Sequence, residues 1–383
     1  MKVGVLKETF PDERRVALVP AGVTILKKSG LDVEVEAGAG SAAGFTDDEY
    51  RDKGAEIIAD RNAILSNADI LLQVRGYGAN PEFGKNDLKS SKPGQIVIGF
   101  QEPLTAKAEM SAYAEHKLTV FATELVPRIT RAQSMDTLSS MANLAGYKAV
   151  LLAANYLPKI FPMMMTAAGT IVAAKVLIVG VGVAGLQAIA TARRLGAIVH
   201  AYDIRPAVKE QVLSLGAKFV EMELEAGDAE TSGGYAKAMD EEFYRKQREL
   251  MTKVVSESDV VITTAAIPGK KAPILVTEDM VKHMHPRSVI VDLAAERGGN
   301  CEITVPGEVV EKHGVTIVGT ANLPSELAYN ASQAYSKNLT NFVALLVKKG
   351  ELEINMEDEI IAESMVTRDG AIVNNKVKEA LQL

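Results

Sequence analysis

Val176-Leu177-Ile178-Val179 runs without a break into Gly180-Val181-Gly182-Val183-Ala184-Gly185 and then into the segment Leu186 to Leu195. The four apolar residues predict a buried strand and the segment after them a helix, so the G-x-G-x-x-G spacing falls between a strand and a helix. Each glycine has its own physical task there. Gly180 permits the tight turn, Gly182 lets backbone approach a pyrophosphate, and Gly185 lets helix and strand pack closely, while N–H groups at the helix start face phosphate charge. Eighteen residues after Gly185, Asp203 ends the next strand, where a carboxylate can accept hydrogen bonds from an adenosine ribose. That acid favours NAD over NADP, because a 2'-phosphate would meet like charge; Arg205 close by leaves the discrimination open. The uncharged run Val176 to Ala192 approaches the length of a membrane span, but its three glycines and the strand-turn-helix pattern account for it without a bilayer.

Working outward, a series of strands surrounds this motif: Val176 to Val179, Ile198 to Tyr202, Lys218 to Val220, Val260 to Thr263, Val289 to Asp292 and Thr316 to Val318. An earlier series, Val3 to Leu6, Val33 to Val35, Ile70 to Val74, Ile96 to Phe100 and Leu118 to Phe121, alternates with helical patterns and predicts βα units on a parallel sheet. Pro20 opens a helix to Lys28 that Gly30 closes, and Thr105 caps another ending near His116. A long helix from Ser134 to Tyr156, with Ser134 a candidate N-cap, links the two series, and a second spans Ser325 to Lys348. The expected domains are therefore 1–133 with about 330–383, the tail returning to the first sheet, and 134–329. Residues 221–242 hold eight acids and one base together with Gly227, Gly233 and Gly234, which points to a mobile loop, a lid or a solvated excursion.

Composition narrows the function classes. A chain of 383 residues with 47% hydrophobic and 24% charged residues folds into two or three globular domains. Its net charge of -7 supplies no broad cationic field, so nucleic acid is not an expected partner. Cys301 is the only cysteine, which excludes an intrachain disulfide and a multi-cysteine metal site and suits a reducing compartment. The amino terminus reads as a first strand and not as an export signal, which places the chain in the cytoplasm. His116, His200, His283, His285 and His313 read as surface or packing residues, and the His-x-His pair lacks further ligands, so no metal is expected.

The most unusual segment is Pro127-Arg128-Ile129-Thr130-Arg131-Ala132-Gln133-Ser134-Met135-Asp136-Thr137-Leu138-Ser139-Ser140. Two arginines, a glutamine, an aspartate and several hydroxyls at a helix start suit an interdomain cleft where a nicotinamide arrives, and capping with charge pairing explains them equally well.

At this point the chain resembles a known family, the NAD(H)-binding, peripheral alpha-subunit domain of proton-translocating NAD(P) transhydrogenase. The matching stretches are Pro127 to Ser140, Asn143 to Tyr147, Phe161 to Thr170, Gly180 to Ala192, Gly233 to Lys237 and Ile267 to Lys270. Lys7-Glu8 and Arg14-Arg15-Val16 are similar to the wider family shared with alanine dehydrogenase. The resemblance implies two Rossmann-like α/β domains with parallel sheets, joined by long helices, with a cleft between them. It implies that Arg128, Gln133, Asp136 and Ser139 surround the nicotinamide and its ribose, with Ile129, Arg131, Ser134 and Met135 in the same segment, and that Gln133 faces an incoming second nucleotide. Gly180, Gly182, Val183 and Gly185 would hold pyrophosphate, Asp203, Ile204 and Arg205 the adenosine, and Ala266 the nicotinamide side. Gly234 and Tyr235 would belong to a loop closing over NAD(H), with Gln247 nearby.

It further implies direct hydride transfer between NAD(H) here and NADP(H) on a partner subunit, a homodimer, and a peripheral place at the inner face of the cytoplasmic membrane through membrane-spanning partners. Because the chain reaches Leu383 without a spanning helix, it is expected to be a separate soluble subunit or an isolated domain. Carbon-to-carbon hydride transfer needs no acid or base, which fits the absence of a well-placed histidine. The alternatives are an alanine dehydrogenase-like enzyme and a non-catalytic NAD-binding module. Against the former, Arg75-Gly76 stands where that enzyme has a substrate-binding lysine, and Gln101-Glu102 where its active-site histidine falls.

Overall fold

The computed structural model describes residues 1–221, 241–267 and 269–383, with the backbone alone for 241–244 and 247. Of the lid expected at about 221–242, residues 222–240 lie outside those described, Gly234 and Tyr235 among them, and so does the side chain of Gln247. The chain divides into two compact units, Met1–Met141 with Pro324–Leu383, and Ala142–Leu323.

The first unit carries six parallel strands, β1 (Lys2–Val5), β2 (Asp32–Glu36), β3 (Glu56–Ile58), β4 (Ile70–Arg75), β5 (Ile96–Phe100) and β6 (Thr119–Ala122), in the spatial order β3-β2-β1-β4-β5-β6. Central strands read as mostly apolar runs because helices cover both faces: Ile70 to Val74 is buried throughout, Gln73 included. The helix Pro20–Lys28 has proline in its first turn and is followed by Gly30 at φ +83°, a left-handed conformation that glycine adopts without strain.

The second unit opens with a short exposed hairpin, β7 (Met164–Thr166) and β8 (Gly169–Ile171), that sequence periodicity does not reveal. Its main strands are β9 (Lys175–Val179), β10 (Ile198–Tyr202), β11 (Lys218–Phe219), β12 (Val260–Thr263), β13 (Val289–Asp292), β14 (Val309–Lys312) and β15 (Val315–Gly319), ordered β11-β10-β9-β12-β13-β15-β14. In both sheets the chain works outward from one central strand and then starts again on that strand's other side, which opens a crevice at the carboxyl ends of the two central neighbours.

The parallel sheets expected from the sequence carry antiparallel strands at their edges. β14 pairs antiparallel with β15, and the tail, after a small hairpin of β16 (Val347–Lys348) and β17 (Glu351–Leu352), adds β18 (Met365–Arg368) antiparallel to β6 and β19 (Ala371–Ile372) antiparallel to β18. β14 and β15, like β18 and β19, are joined by two-residue turns with no room for a crossover helix, so each pair is antiparallel. Three helix starts also differ. Thr105 does not cap: its Oγ1 bonds back to the Glu102 carbonyl, and the helix Lys107–Glu115 begins after Ala106 without a side-chain cap. The linking helix begins at Thr137, after a 3-10 turn over Thr130–Met135. The second long helix spans Ala328–Leu346, after a 3-10 turn over Leu323–Leu327.

The irregular stretch between β1 and the Pro20 helix must satisfy its backbone groups without a ladder. Serines of the returning chain do this. Arg14 N–H donates to Ser325 Oγ at 2.7 Å, Val16 N–H to Ser332 Oγ at 2.9 Å and Val19 N–H to Ser336 Oγ at 3.1 Å.

In the second unit the helix Thr137–Tyr156 sends Ala149, Val150 and Ala153 into the core with Val176, Ile178, Ala188 and Ile189. It comes so close to the turn after β9 that a Cβ on Gly146 would lie 2.1 Å from the Ala184 carbonyl oxygen. Gly146→Ala should therefore force the two segments apart and lower unfolding stability by about 2 kcal/mol. Urea unfolding checks this, and an unchanged midpoint would show that the helix can shift without cost.

Candidate functional site

The carboxyl ends of β9 and β12 adjoin where the strand order reverses, and the glycine run lies there. Gly180 has φ +95°, so a side chain is disfavoured by backbone conformation alone. A Cβ on Gly185 would sit 2.0 Å from the Gly180 carbonyl oxygen, whereas one on Gly182 would meet nothing within 4 Å. Strand-helix closeness thus depends on Gly185, and Gly182 leaves open space in front of the helix Val183–Arg194, whose first N–H groups and dipole favour an anion.

Asp203 holds this turn in place. Its Oδ2 accepts Val181 N–H at 2.7 Å and Arg205 Nη2 at 2.8 Å, and its Oδ1 accepts Arg205 N–H and Nε, each at 2.9 Å. The side chain is 6% exposed. Four donors match the capacity of a carboxylate, so a ribose hydroxyl could bond Asp203 only as Arg205 moves aside. Ile204 is half-buried between the pair, and Ala266 stands exposed on the loop after β12.

In the first unit the segment Pro127 to Ser140 is fixed by three anchors. Asp136, and not Ser134, caps the long helix: its Oδ1 accepts Ser139 N–H at 2.8 Å and its Oδ2 accepts Ser139 Oγ–H at 2.6 Å. The Ser134 carbonyl accepts Nδ2–H groups from Asn338 at 2.9 Å and Asn341 at 3.1 Å. Arg131 forms a two-pronged ion pair with Asp358 at 2.7 Å on each side, which holds that carboxyl below its ordinary range. Ala132 and Met135 are buried as packing residues, Ile129 is half-buried, and Arg128, Gln133 and Ser134 are exposed. The residues named from sequence thus form two sets, one on each unit. Of the first set, Arg131, Asp136 and Ser139 spend side-chain groups on holding the segment's shape.

Two buried acids anchor strand ends in the first unit, Glu124, which sequence patterns missed, and Glu8, which they touched only through the Lys7-Glu8 resemblance. Glu124 Oε1 accepts the N–H groups of Gln101 at 2.7 Å and Glu102 at 2.6 Å, and Glu8 accepts those of Val74 at 2.7 Å and Arg75 at 3.1 Å. Burial pushes both carboxyls up to about 7. Single acids next to strand ends carry no periodic signal. Gln101 is buried, with its Oε1 accepting Tyr113 O–H at 3.1 Å, and Arg15 is buried against Glu13 at 2.6 Å. His116 and His283 bond the carbonyl one turn back on their own helices, and His313 pairs with Glu278. Among the described residues no group of three metal-ligating side chains converges, and no helix is long and apolar enough to cross a membrane.

A glycine turn at a strand-order reversal, with an acid tying the turn to the next strand, defines a doubly wound α/β protein with a dinucleotide-type site. "Alanine dehydrogenase/PNT, N-terminal domain" matches residues 4–145 and the corresponding C-terminal domain residues 149–375. An NAD(P) transhydrogenase subunit alpha chain of Rhodospirillum rubrum is 50% identical over 98% of both chains. The crystal structure of transhydrogenase from Sinorhizobium meliloti superposes with a TM-score of 0.87 at 47% identity, covering 97% of this chain and all of that one. Alanine dehydrogenase of Methanococcus maripaludis is 30% identical over the whole of this chain and 97% of its own. The chain belongs to the alanine dehydrogenase/PNT family and is a homologue of transhydrogenase subunit alpha.

The raised carboxyls make stability depend on pH. Between the ordinary value of 4.5 and about 7, Glu124 ionises in the unfolded chain but stays protonated in the folded one, so stability falls as pH rises through that window and is level above it. Glu124→Gln keeps the acceptor for Gln101 and Glu102 and removes the titration. The variant should gain on wild type between about pH 5 and about pH 8 by up to about 3 kcal/mol, with the remaining slope due to Glu8. Urea midpoints across that range decide it; parallel curves would show that Glu124 holds no proton.

Proposed function

We propose that the chain is the NAD(H)-binding subunit of a proton-translocating transhydrogenase, passing hydride directly between NAD(H) held here and NADP(H) held by a partner subunit. The observation that carries the reading is the glycine turn: closed at Gly185, open in front of Gly182, and facing the start of a helix at the strand-order reversal. Those features fit a pyrophosphate. The nicotinamide C4 of bound NAD(H) would supply or accept the hydride. Val183 and the following N–H groups would hold the phosphates, and Asp203 with Arg205 would receive the adenosine ribose. Arg128, Gln133, Asp136 and Ser139 would orient the nicotinamide and its ribose, with Gln133 nearest the second nucleotide. Positioning and exclusion of water are the whole task, since no substrate proton is released.

Partner subunits would carry NADP(H), the membrane spans and the proton path, leaving this subunit peripheral at the inner face of the cytoplasmic membrane. A homodimer is favoured by the exposed hairpin, where Met163, Met164, Met165, Ile171 and Val172 stand open and Met165 is 79% exposed. An open apolar groove of about 560 Å³ beside it is lined by Ile160, Phe161 and Leu195 among others. The competing reading, an alanine dehydrogenase, is disfavoured because Gln101 and Glu102 supply no imidazole and the Gln101 amide is turned inward.

Mixed with an NADP(H)-binding partner subunit, the chain should reduce an NADP-site acceptor from NADH in single-turnover experiments, and alone it should not oxidise alanine; robust alanine oxidation would favour the competitor. Gln133→Asn should slow hydride transfer by about tenfold with NADH affinity nearly intact. A collapse of binding with an unchanged rate would remove Gln133 from that role. Met165→Asp should turn dimers into monomers in light scattering, and dimers that persist would place the interface elsewhere.

A further inference from the structure

The loop after β12 rests on an internal scaffold that no sequence pattern announced. Thr264 donates Oγ1–H to the Gly180 carbonyl at 2.8 Å, which bonds the loop to the glycine turn. Ala265 is held at both backbone groups by one side chain. Its N–H donates to Asn300 Oδ1 at 2.9 Å, and Asn300 Nδ2 donates to the Ala265 carbonyl and to the Pro273 carbonyl, each at 2.8 Å. A planar carboxamide bonded to the N–H and C=O of one residue fixes the tilt of the flanking peptides as well as their position.

Asn300 is itself set by Asp292, a fully buried carboxylate at the end of β13. Asp292 Oδ2 accepts Asn300 N–H at 2.9 Å, Cys301 N–H at 3.0 Å and Thr304 Oγ1–H at 2.8 Å. Its Oδ1 accepts Ala294 N–H and Thr263 Oγ1–H, each at 3.0 Å. Gly298 and Gly299, at φ +96° and +78°, turn the chain so that Asn300 points back under the loop. A buried carboxyl group is tolerated only with partners of this number and quality, and removing one leaves the rest of the network strained.

We propose that Asn300 is a positioning residue for the nicotinamide end of bound NAD(H), acting through the Ala265 backbone. This rests on the nucleotide reading under the proposed function. A dinucleotide with its adenosine at the end of β10 must cross the glycine turn toward the end of β12, since those strands flank the reversal. Thr264 to Ile267 is the backbone it meets there. Asn300 sets that backbone's orientation and leaves the adenosine and phosphate contacts to Gly180, Gly185 and Asp203.

The test compares NADH with ADP-ribose, which carries the adenosine, both phosphates and a second ribose but no nicotinamide. Asn300→Asp replaces an N–H donor with an oxygen facing the Ala265 and Pro273 carbonyls. Calorimetry on the variant should show NADH affinity falling about tenfold and ADP-ribose affinity within about twofold of wild type. Equal weakening of both ligands, or no change in either, would overturn the proposal, since a merely structural residue does not distinguish them. Should Asn300→Asp fail to fold, Thr304→Val removes one donor to Asp292 with little change of shape, and a selective NADH loss of about threefold is expected. The same two results would overturn it there. Wild-type protein that bound neither ligand would overturn the nucleotide reading itself, and this inference with it.

Discussion

The Gly185 α-carbon packs against the Gly180 carbonyl so closely that a methyl group would overlap the oxygen, and much of the second unit is arranged around that contact. With no side chain between them, the end of β9 and the start of the Val183–Arg194 helix share one short turn. The turn's outward groups are then occupied from neighbouring elements. Asp203 takes Val181 N–H, Thr264 takes the Gly180 carbonyl, and the linking helix presses Gly146 onto Ala184. Three separate stretches of chain thereby fix six residues, and the space that remains lies in front of Gly182. A backbone so held needs little reorganisation to receive an anion, which is the physical content of a preorganised site.

The first unit repeats the strand order without the device. Beyond β1 the chain has no glycine turn, and its irregular path to the Pro20 helix is satisfied by serine hydroxyls of the returning chain. Glu8 and Glu124 bond the ends of β4 and β5, and burial there pushes both carboxyls up to about 7. Similar topologies thus serve different ends, because function follows the groups placed at the strand ends and not the fold. What this unit offers is a rigid polar helix start, with Asp136, Asn338, Asn341 and the Arg131–Asp358 pair holding Gln133 and Arg128 at its surface.

Most of the inner strands were legible as apolar runs because both faces of a central parallel strand are buried. The edges were not. β3, β14 and β19 are two to four residues long with one side open, and such segments have no pattern strong enough to stand out from a loop. The start of the linking helix escapes a local reading for a related reason. Ser134 and Asp136 are both able caps, and the choice fell to Asp136 because Asn338 and Asn341, some two hundred residues away in sequence, take the Ser134 carbonyl.

The amino-acid sequence by itself determined the strand-turn-helix with its glycines, since the steric demands on Gly180 and Gly185 are local and admit no other residue type. It determined the apolar inner strands on the same local grounds, and the family through the motifs it carries. Tertiary structure alone decided that Arg205 saturates Asp203, that Asp292 and Asn300 set the loop after β12, and that the sheets end in antiparallel strands. The last two depend on which distant donor or edge meets an unpaired group, and pairing across a fold leaves no mark on the spacing of residues along a chain; Arg205 is only two residues from Asp203, but the folded turn sets the direction of its side chain.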